Sequence, residues 1–270
     1  MRLTTLGTGT IALPAGRACA GHLVEVPAAG VRLLVDCGSG VARRLAELGG
    51  RAGADDATPP WLALTHVALT HFHADHVADL PTLFSAWRNG RRPGRTAPLT
   101  VLGPPGLRQF LERLAAAFGE WVVRPDFPLS VVELADGGEA TLADGVALRV
   151  RKVPHTEASV AYSIEHGGRR IVYTGDTGYD PGLAEWAAGC DVMLSECSLP
   201  DSAAMDTHLT PRQCGALAAI ARPRLLALTH LYPQVEGVDI RAEVAERFPG
   251  AVVVAEDGWA TETEDMRCWS

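Results

Sequence analysis

Four potential metal ligands stand within six residues of this chain, in the segment His71-Phe72-His73-Ala74-Asp75-His76. Imidazole nitrogens and carboxylate oxygens are donors that bind zinc and related transition metals. Because side chains alternate along an extended strand, His71 and His73 are expected to point the same way, while Asp75 and His76 follow where the chain turns. The segment therefore predicts half of a metal site that can serve two adjacent ions.

The residues on either side of this segment have the pattern of a strand followed by a helix. Val67-Ala68-Leu69-Thr70 is short, apolar and partly β-branched, as a buried strand would be, and Val77 to Trp87 predicts a helix. Open α/β sheets bind their ligands where strands end and helices begin. A solvated loop rich in histidine is the alternative interpretation, and the interleaved Asp75 argues against it.

Three more potential ligands stand just past apolar stretches that predict strands: His155, Asp176 and His230. A histidine at the end of a strand is common for structural reasons, so neither His155 nor His230 is decisive alone. We expect all three donors to lie at the same edge of the sheet.

The pattern His-x-His-x-Asp-His resembles the signature of the metallo-β-lactamase fold hydrolases, and each later donor has a counterpart in that family. The resemblance implies seven ligands: His71, His73 and His155 for one ion, Asp75, His76 and His230 for the other, and Asp176 as the bridge. It implies two Zn²⁺ ions about 3.5–4 Å apart that share a hydroxide. The same donors also suit Mn²⁺ or Fe²⁺.

Glu196 and His208 bear on the reaction. A carboxylate that orients a histidine makes a general acid for an alkoxide leaving group. These two residues resemble the phosphodiesterase branch of the family, which includes ribonuclease Z, and the resemblance implies that they and Asp75 are the catalytic groups. The alternative is a structural role for both, and Cys197 stands where the ribonuclease Z pattern usually has alanine.

The predicted substrate is small. Ribonuclease Z carries a long tRNA-binding insertion between the counterparts of His155 and Asp176, and here only a hairpin with a Gly167-Gly168 turn fits between them. A net charge of -8 also argues against an extended nucleic-acid surface, which needs clustered cations. We therefore expect a small phosphodiester or cyclic phosphate, and not nucleic acid. Arg17 is a candidate substrate-binding residue, with a solvated side chain as the alternative.

Three other functions remain open. The same hydroxide could attack a carboxylic ester or a lactone, and a ribonuclease Z-type tRNA 3′ endonuclease shares the motifs. A non-catalytic, metal-stabilised binding protein belongs to another class, and the complete ligand set argues against it.

The remaining features of the chain favour one α/β domain over residues 1–270, with the four-layer αβ/βα sandwich of the metallo-β-lactamase fold. Six scattered cysteines, no signal-like N-terminus and no long apolar run predict reduced thiols, a cytoplasmic location and no membrane span. The resemblance suggests a homodimer. Asp36 is assigned to helix entry in preference to ordering the metal loop, and the basic segment Arg88 to Arg95 to a solvated loop, a substrate-attracting rim or a subunit contact.

Five strands are expected in sequence as a meander after the first strand and helix units: Leu129 to Leu134, Glu139 to Leu142, Val146 to Val153, Val160 to Glu165 and Arg170 to Thr174. Helices and strands alternate after them.

Overall fold

The described part of the chain, residues 1–50 and 58–264 of a computed structural model, contains fourteen strands and seven α-helices. The strands are β1 Arg2–Gly7, β2 Gly21–Val26, β3 Val31–Val35, β4 His66–Ala68, β5 Leu99–Gly103, β6 Leu129–Glu133, β7 Glu139–Ala143, β8 Val146–Lys152, β9 Val160–His166, β10 Arg169–Tyr173, β11 Val192–Glu196, β12 Leu225–Thr229, β13 Val252–Val254 and β14 Ala260–Glu262. The α-helices are α1 Val41–Gly50, α2 Ala74–Val77, α3 Leu80–Asn89, α4 Leu107–Phe118, α5 Pro181–Trp186, α6 Pro211–Ala221 and α7 Ile240–Ala245.

These strands form two mixed sheets of seven strands each. The first has the order β14-β1-β2-β3-β4-β5-β6 and the second the order β13-β12-β11-β10-β9-β8-β7. Strands β3 to β6 run parallel in the first sheet, and β10 to β13 run parallel in the second. Helices α1, α3 and α4 cover one outer face, and α5 to α7 cover the other. The predicted αβ/βα sandwich is confirmed.

The central core lies between the two sheets. On β3, Leu33 and Val35 face the second sheet, whereas Leu34 faces the helices of the first layer. A central strand is therefore apolar on both faces, which explains why such strands read as continuous hydrophobic runs. Each fully buried aliphatic side chain of this kind contributes roughly 1.5–3 kcal/mol to folding.

The helix predicted from Val77 to Trp87 is two helices. Proline has no backbone N–H, so Pro81 cannot donate to the Val77 carbonyl, and α2 ends at that residue. The chain starts again as α3 with Pro81 in its first turn, a position that proline tolerates. Asp79, between the helices, accepts a hydrogen bond from the amide of Ala42 at 2.9 Å.

The five-strand meander was also predicted wrongly in one respect. The strand that begins at Leu129 pairs in parallel with β5 in the first sheet, so only β7 to β10 form the antiparallel meander. The apolar pattern alone does not say which sheet a strand joins. The short edge strand β14, which pairs with β1, was not predicted.

The basic segment from Arg88 to Arg95 lies away from the metal segment. The buried Arg95 guanidinium donates to the carbonyls of Leu62 and Leu64, at 2.8 and 2.7 Å. Leu62 and Leu64 precede β4, whereas His71 follows it. The basic segment therefore contacts the end of β4 opposite the metal segment. Arg95 is thus engaged by main-chain carbonyls, and the role of the exposed arginines of this segment stays a prediction.

Five cysteine thiols are buried and unpaired in the described residues: Cys19, Cys37, Cys190, Cys197 and Cys214. The sixth, Cys268, lies outside them. None of the helices over 1–50 and 58–264 has the length and apolar character needed to cross a membrane.

Replacing Gly38 by alanine should destabilise the protein. A Cβ at Gly38 would lie 1.9 Å from the Asp75 carbonyl oxygen, so the loop that carries the metal segment would have to move. Overpacking of this kind costs about 1–3 kcal/mol, which corresponds to a melting temperature lower by several degrees. Thermal unfolding followed by circular dichroism measures the change.

Gly237→Ala is the matched control, since a Cβ there meets no atom within 4 Å. Equal melting temperatures for the two variants would mean that the loop at Gly38 has room for a side chain.

Candidate metal centre

The seven predicted ligands meet where strands of both sheets end. Four follow β4 in the first sheet, and the others follow β8, β10 and β12 in the second. Two groups of donors form, each with its ligand atoms within 4.8 Å of one another: His71, His73, His155 and Asp176, and Asp75, His76 and His230. His155, Asp176 and His230 lie at one edge of the second sheet, as expected, and they meet the first segment, which follows a strand of the first sheet.

In the first group, the Asp176 carboxylate faces two histidines. Its Oδ2 lies 3.8 Å from Nε2 of His71 and 3.8 Å from Nε2 of His155. Nδ1 of His73 lies 3.1 Å from Nε2 of His155. These atoms surround one small volume.

In the second group, the other Asp176 oxygen takes the same part. Oδ1 lies 3.2 Å from Nε2 of His76 and 3.4 Å from Nε2 of His230. Nε2 of His230 also lies 3.4 Å from Oδ2 of Asp75. The two oxygens of Asp176 thus face different groups, which is the arrangement of a bridging carboxylate.

The separations fit two metal ions. Donors on a tetrahedral zinc ion lie about 3.4 Å apart, given Zn–N distances of roughly 2.0–2.1 Å. Nε2 of His71 is buried and has no hydrogen-bond partner within the described ranges. An unsatisfied buried nitrogen is costly unless a ligand binds it. The residues present therefore fit a metal centre.

Hydrogen bonds outside the two groups fix the histidine tautomers. A carbonyl or carboxylate only accepts, so Nδ1 of His155 donates to the Thr207 carbonyl at 2.9 Å, and Nδ1 of His76 donates to Asp36 at 2.8 Å. The hydroxyl of Ser198 donates to a carboxylate and accepts from Nδ1 of His230, at 3.0 Å. Nε2 of each ring therefore faces the centre as the donor to metal.

Asp36 orders ligands of both groups. Beside His76, it accepts from the amide and the hydroxyl of Thr70, at 2.8 and 2.9 Å. That hydroxyl in turn lies 3.0 Å from Nδ1 of His71. The preferred prediction, a helix-entry role for Asp36, is wrong. Helix α1 begins five residues later, and the Asp36 carboxylate accepts hydrogen bonds from Thr70 and His76 of the metal loop.

The surroundings set the charge of the ligands. Burial lowers the pKa of His71 to about 2, helped by the neighbouring His76, so that this ring is neutral and ready to bind metal. Burial opposes charge on His76 too, but the carboxylates of Asp176 and Asp36 outweigh it and raise its pKa well above the usual range. Metal binding at His76 must therefore release a proton.

Glu196 and His208 lie beside the second group. Glu196 is the last residue of β11 and is fully buried. Its carboxylate accepts from four groups: the amides of Thr177 and Leu209 at 2.6 and 3.1 Å, Nδ1 of His208 at 3.1 Å, and the Ser198 hydroxyl. The predicted carboxylate and histidine couple is present as a hydrogen-bonded pair.

The geometry favours a proton-carrying role for His208 over a ligand role, although it groups with Asp176 and His230 within 4.8 Å. Burial lowers its pKa, but the hydrogen bond and the charge of Glu196 outweigh burial and raise the pKa above its usual value. A ring that holds its proton more tightly and is paired with a buried carboxylate suits a general acid.

The comparisons agree with this geometry. A family model described as a β-lactamase superfamily domain matches residues 31–231. Ribonuclease Z of Mycobacterium marinum is 31% identical over 283 residues, which cover 95% of this chain and 96% of that protein.

The chain belongs to the metallo-β-lactamase fold hydrolases.

Two solved structures share the fold of this hydrolase. The metallo-β-lactamase fold protein YhfI from Bacillus subtilis has a TM-score of 0.79 at 24% identity, with 96% of this chain and 98% of that one covered. The human short-form tRNase Z has a TM-score of 0.75 at 22% identity, with 97% and 99% covered. This protein is thus a metal-dependent hydrolase related to ribonuclease Z.

One contact in the metallo-β-lactamase site was missed by sequence reasoning. The Ser198 hydroxyl joins the Glu196 carboxylate to the metal-facing His230. Ser198 stands two residues beyond Glu196, and only the fold brings His230, 32 positions away in the chain, to it.

Arg17 donates hydrogen bonds within the protein, and its predicted contact with substrate stays a prediction. Its Nη1 donates to the Thr8 hydroxyl at 2.6 Å and to the Ala255 carbonyl at 2.8 Å. These bonds hold the loop after β1 against the residue that follows β13.

Replacing Asp176 by alanine should remove metal from both sites of this metallo-β-lactamase fold protein, because each of its oxygens faces a different group. Inductively coupled plasma mass spectrometry on the purified, dialysed protein should find about two ions per chain in the wild type and well under one in the variant. Asp206→Ala, which removes an exposed carboxylate near the site, is the control. Two retained ions in Asp176→Ala would exclude the bridge.

Proposed function

We propose that this protein is a dinuclear zinc phosphodiesterase that hydrolyses a small phosphodiester or cyclic phosphate. The observation that carries the proposal is the Glu196 and His208 pair beside a site with donors for two ions. Departure of an alkoxide from phosphorus needs a proton. The hydrogen bond from His208 to Glu196, which raises the pKa of His208, supports His208 as its source. Esters with an activated leaving group, such as 4-nitrophenolate, do not need that proton.

The metal-facing side chains divide the work. His71, His73 and His155 would hold one ion, Asp75, His76 and His230 the other, and Asp176 both. Zinc is the proposed metal, because neutral imidazoles with carboxylates suit it. When bound, the two ions would activate water and offset the charge of the phosphate.

The acid is held for one task. With Nδ1 of His208 bonded to Glu196, the proton available to a leaving oxygen is on Nε2. Glu196 is itself fixed by two backbone amides and a hydroxyl, so the imidazole has little freedom to turn away. An acid held in a fixed orientation at the reacting atom lowers the activation free energy more than a mobile acid does.

The short connection between β9 and β10 supports a small substrate. His166 pairs with Arg169 across the Gly167-Gly168 turn, so no long arm leaves the protein there. Two arginines of the first layer are also engaged, since Arg17 bonds within its own loop and Arg44 contacts Asp257 at 3.3 Å.

Processing of tRNA 3′ ends is a second candidate, and the comparisons favour keeping it. The expectation that nucleic acid is excluded is not supported, because full-length relatives are named ribonuclease Z. The match to the Mycobacterium marinum protein covers 95% of this chain and 96% of that protein.

Replacing His208 by alanine should lower turnover by about 10²–10⁴-fold on diesters with alkyl leaving groups. 4-Nitrophenolate leaves without a proton, so hydrolysis of bis(4-nitrophenyl) phosphate should be affected much less. Rates are measured with the metal content of each variant matched. His166→Ala, a histidine of the distant β9 to β10 turn, is the control.

Equal losses on both kinds of substrate would remove His208 from the leaving-group role. A nitrophenyl carboxylate ester serves as a further arm, and efficient turnover of that ester alone would favour the ester or lactone hydrolase.

The two substrate classes also differ in salt dependence. Hydrolysis of a small diester should change little between 50 and 200 mM salt, since it releases few counterions, whereas a protein that grips folded RNA through six or more phosphates loses roughly 10³-fold or more in affinity over that range. We expect cyclic nucleotides to be cleaved faster than a precursor tRNA at equal enzyme. Efficient, salt-sensitive cleavage of the precursor at its 3′ end would establish the second candidate instead.

A further inference from the structure

Most of the exposed large apolar side chains in the described residues stand in loops of the metal centre. Six such side chains are more than a third exposed, and four belong to these loops: Ile11, Leu13, Tyr179 and Met205. Exposed apolar side chains in a group mark a binding surface more often than single ones do. We call these four side chains the apolar rim.

One side of the rim is tied to a metal-facing carboxylate. The amide of Ile11 donates to Oδ2 of Asp75 at 2.9 Å, yet the Ile11 side chain is 53% exposed. Leu13, 69% exposed, has a φ of +52°, a conformation that leucine rarely adopts. The main chain of this loop is thus held against the site while its apolar side chains face outward.

The other side of the rim is tied to the acid. Met205 pairs with His208 across a tight turn and is 54% exposed. Tyr179 is 43% exposed and follows Gly178, which packs so closely on the next loop that a Cβ would lie 1.8 Å from the Asp206 carbonyl oxygen. Both exposed side chains therefore belong to the two adjoining loops that follow Asp176 and precede His208.

The charges around the rim disfavour a polyanion. Asp206, which follows Met205, bears an exposed carboxylate, and Asp180, which follows Tyr179, balances the charge of Arg151 at 3.4 Å. The guanidinium of Arg17, four residues beyond Leu13, donates to groups within the protein. A neutral ring suits such a surface, since phenol rings stack on rings and thioethers pack against ring edges.

We propose that the apolar rim binds an aromatic ring carried by the substrate, so that the enzyme selects phosphodiesters with an aryl group or a nucleobase over those with small alkyl groups. This inference rests on the proposed function and adds to it the chemical class of the organic group. The ions and His208 act on the phosphate, and the rim sets which group the phosphate carries.

The test compares substrates that share one leaving group. Bis(4-nitrophenyl) phosphate, thymidine 5′-(4-nitrophenyl) phosphate and methyl 4-nitrophenyl phosphate all release 4-nitrophenolate and differ in the retained group. The metal-loaded wild type should have a kcat/KM at least about 5-fold higher for the ring-bearing diesters than for the methyl diester, beyond the statistical factor of two for the symmetrical one. A preference for the thymidine ester indicates a nucleobase, and for the aryl ester a simple arene.

Leu13→Gly and Met205→Ser should each lower the ring-to-methyl ratio by about 2–10-fold, the size of one lost aromatic contact. Glycine accepts the positive φ at position 13, so that variant keeps the loop. Phe118→Ser is the control, because Phe118 is also 53% exposed but lies at the end of α4; it should leave the ratio unchanged.

Binding of phenylphosphonate and methylphosphonate, measured by calorimetry on the metal-loaded protein, tests the rim without turnover. Tighter binding of phenylphosphonate that weakens selectively in Leu13→Gly supports the rim even if no diester is hydrolysed, and in that case only the proposed function fails. Unchanged ratios in both variants would overturn the rim. So would a wild-type dimer that becomes monomeric in Leu13→Gly with its ratios unchanged, since the rim would then be a subunit interface.

Discussion

The rest of this structure depends on four buried carboxylates that lie in and around the metal centre. Asp36, Asp75, Asp176 and Glu196 are each at most 5% exposed. Charges taken out of water must be paired or bound to metal, because their desolvation is otherwise prohibitive. Arg95, the one buried arginine among the described residues, binds main-chain carbonyls at the other end of β4 and does not balance these charges. Two divalent ions at the proposed centre would supply the positive charge that such a cluster requires.

The two-sheet architecture is what brings these carboxylates together. Each sheet has a parallel half whose strands end at the same level, so the loops after β4 and β12 meet although they belong to different sheets. Asp176, after β10, lies where both halves converge, and its two oxygens can therefore face two groups at once. A single open sheet would offer its loops along one line only.

The sequence predicted the ligands better than their supports. A motif with four donors in six residues is local, so the sequence alone identified it. The helix break at Pro81 was also predictable from the sequence, because proline interrupts helices, but it was overlooked. The partners of Asp36 and Arg95 could not be read in this way, because each side chain bonds to groups some 30 or more positions away. The strand at Leu129 had the right pattern, but pattern does not choose between two sheets that bury the same kinds of residue.

The hydrogen bonds of Ser198 connect acid and metal chemistry. Its hydroxyl donates to Glu196 and accepts from His230, so one carboxylate is bonded directly to the proton carrier and indirectly to a metal-facing ring. If His208 gives up its proton as proposed, the negative charge of Glu196 would be less balanced on that side, and the Ser198 hydroxyl would make His230 a stronger potential metal ligand. The side chains of Glu196, Ser198 and His230 would thus couple the proposed acid to the second ligand group through hydrogen bonds alone.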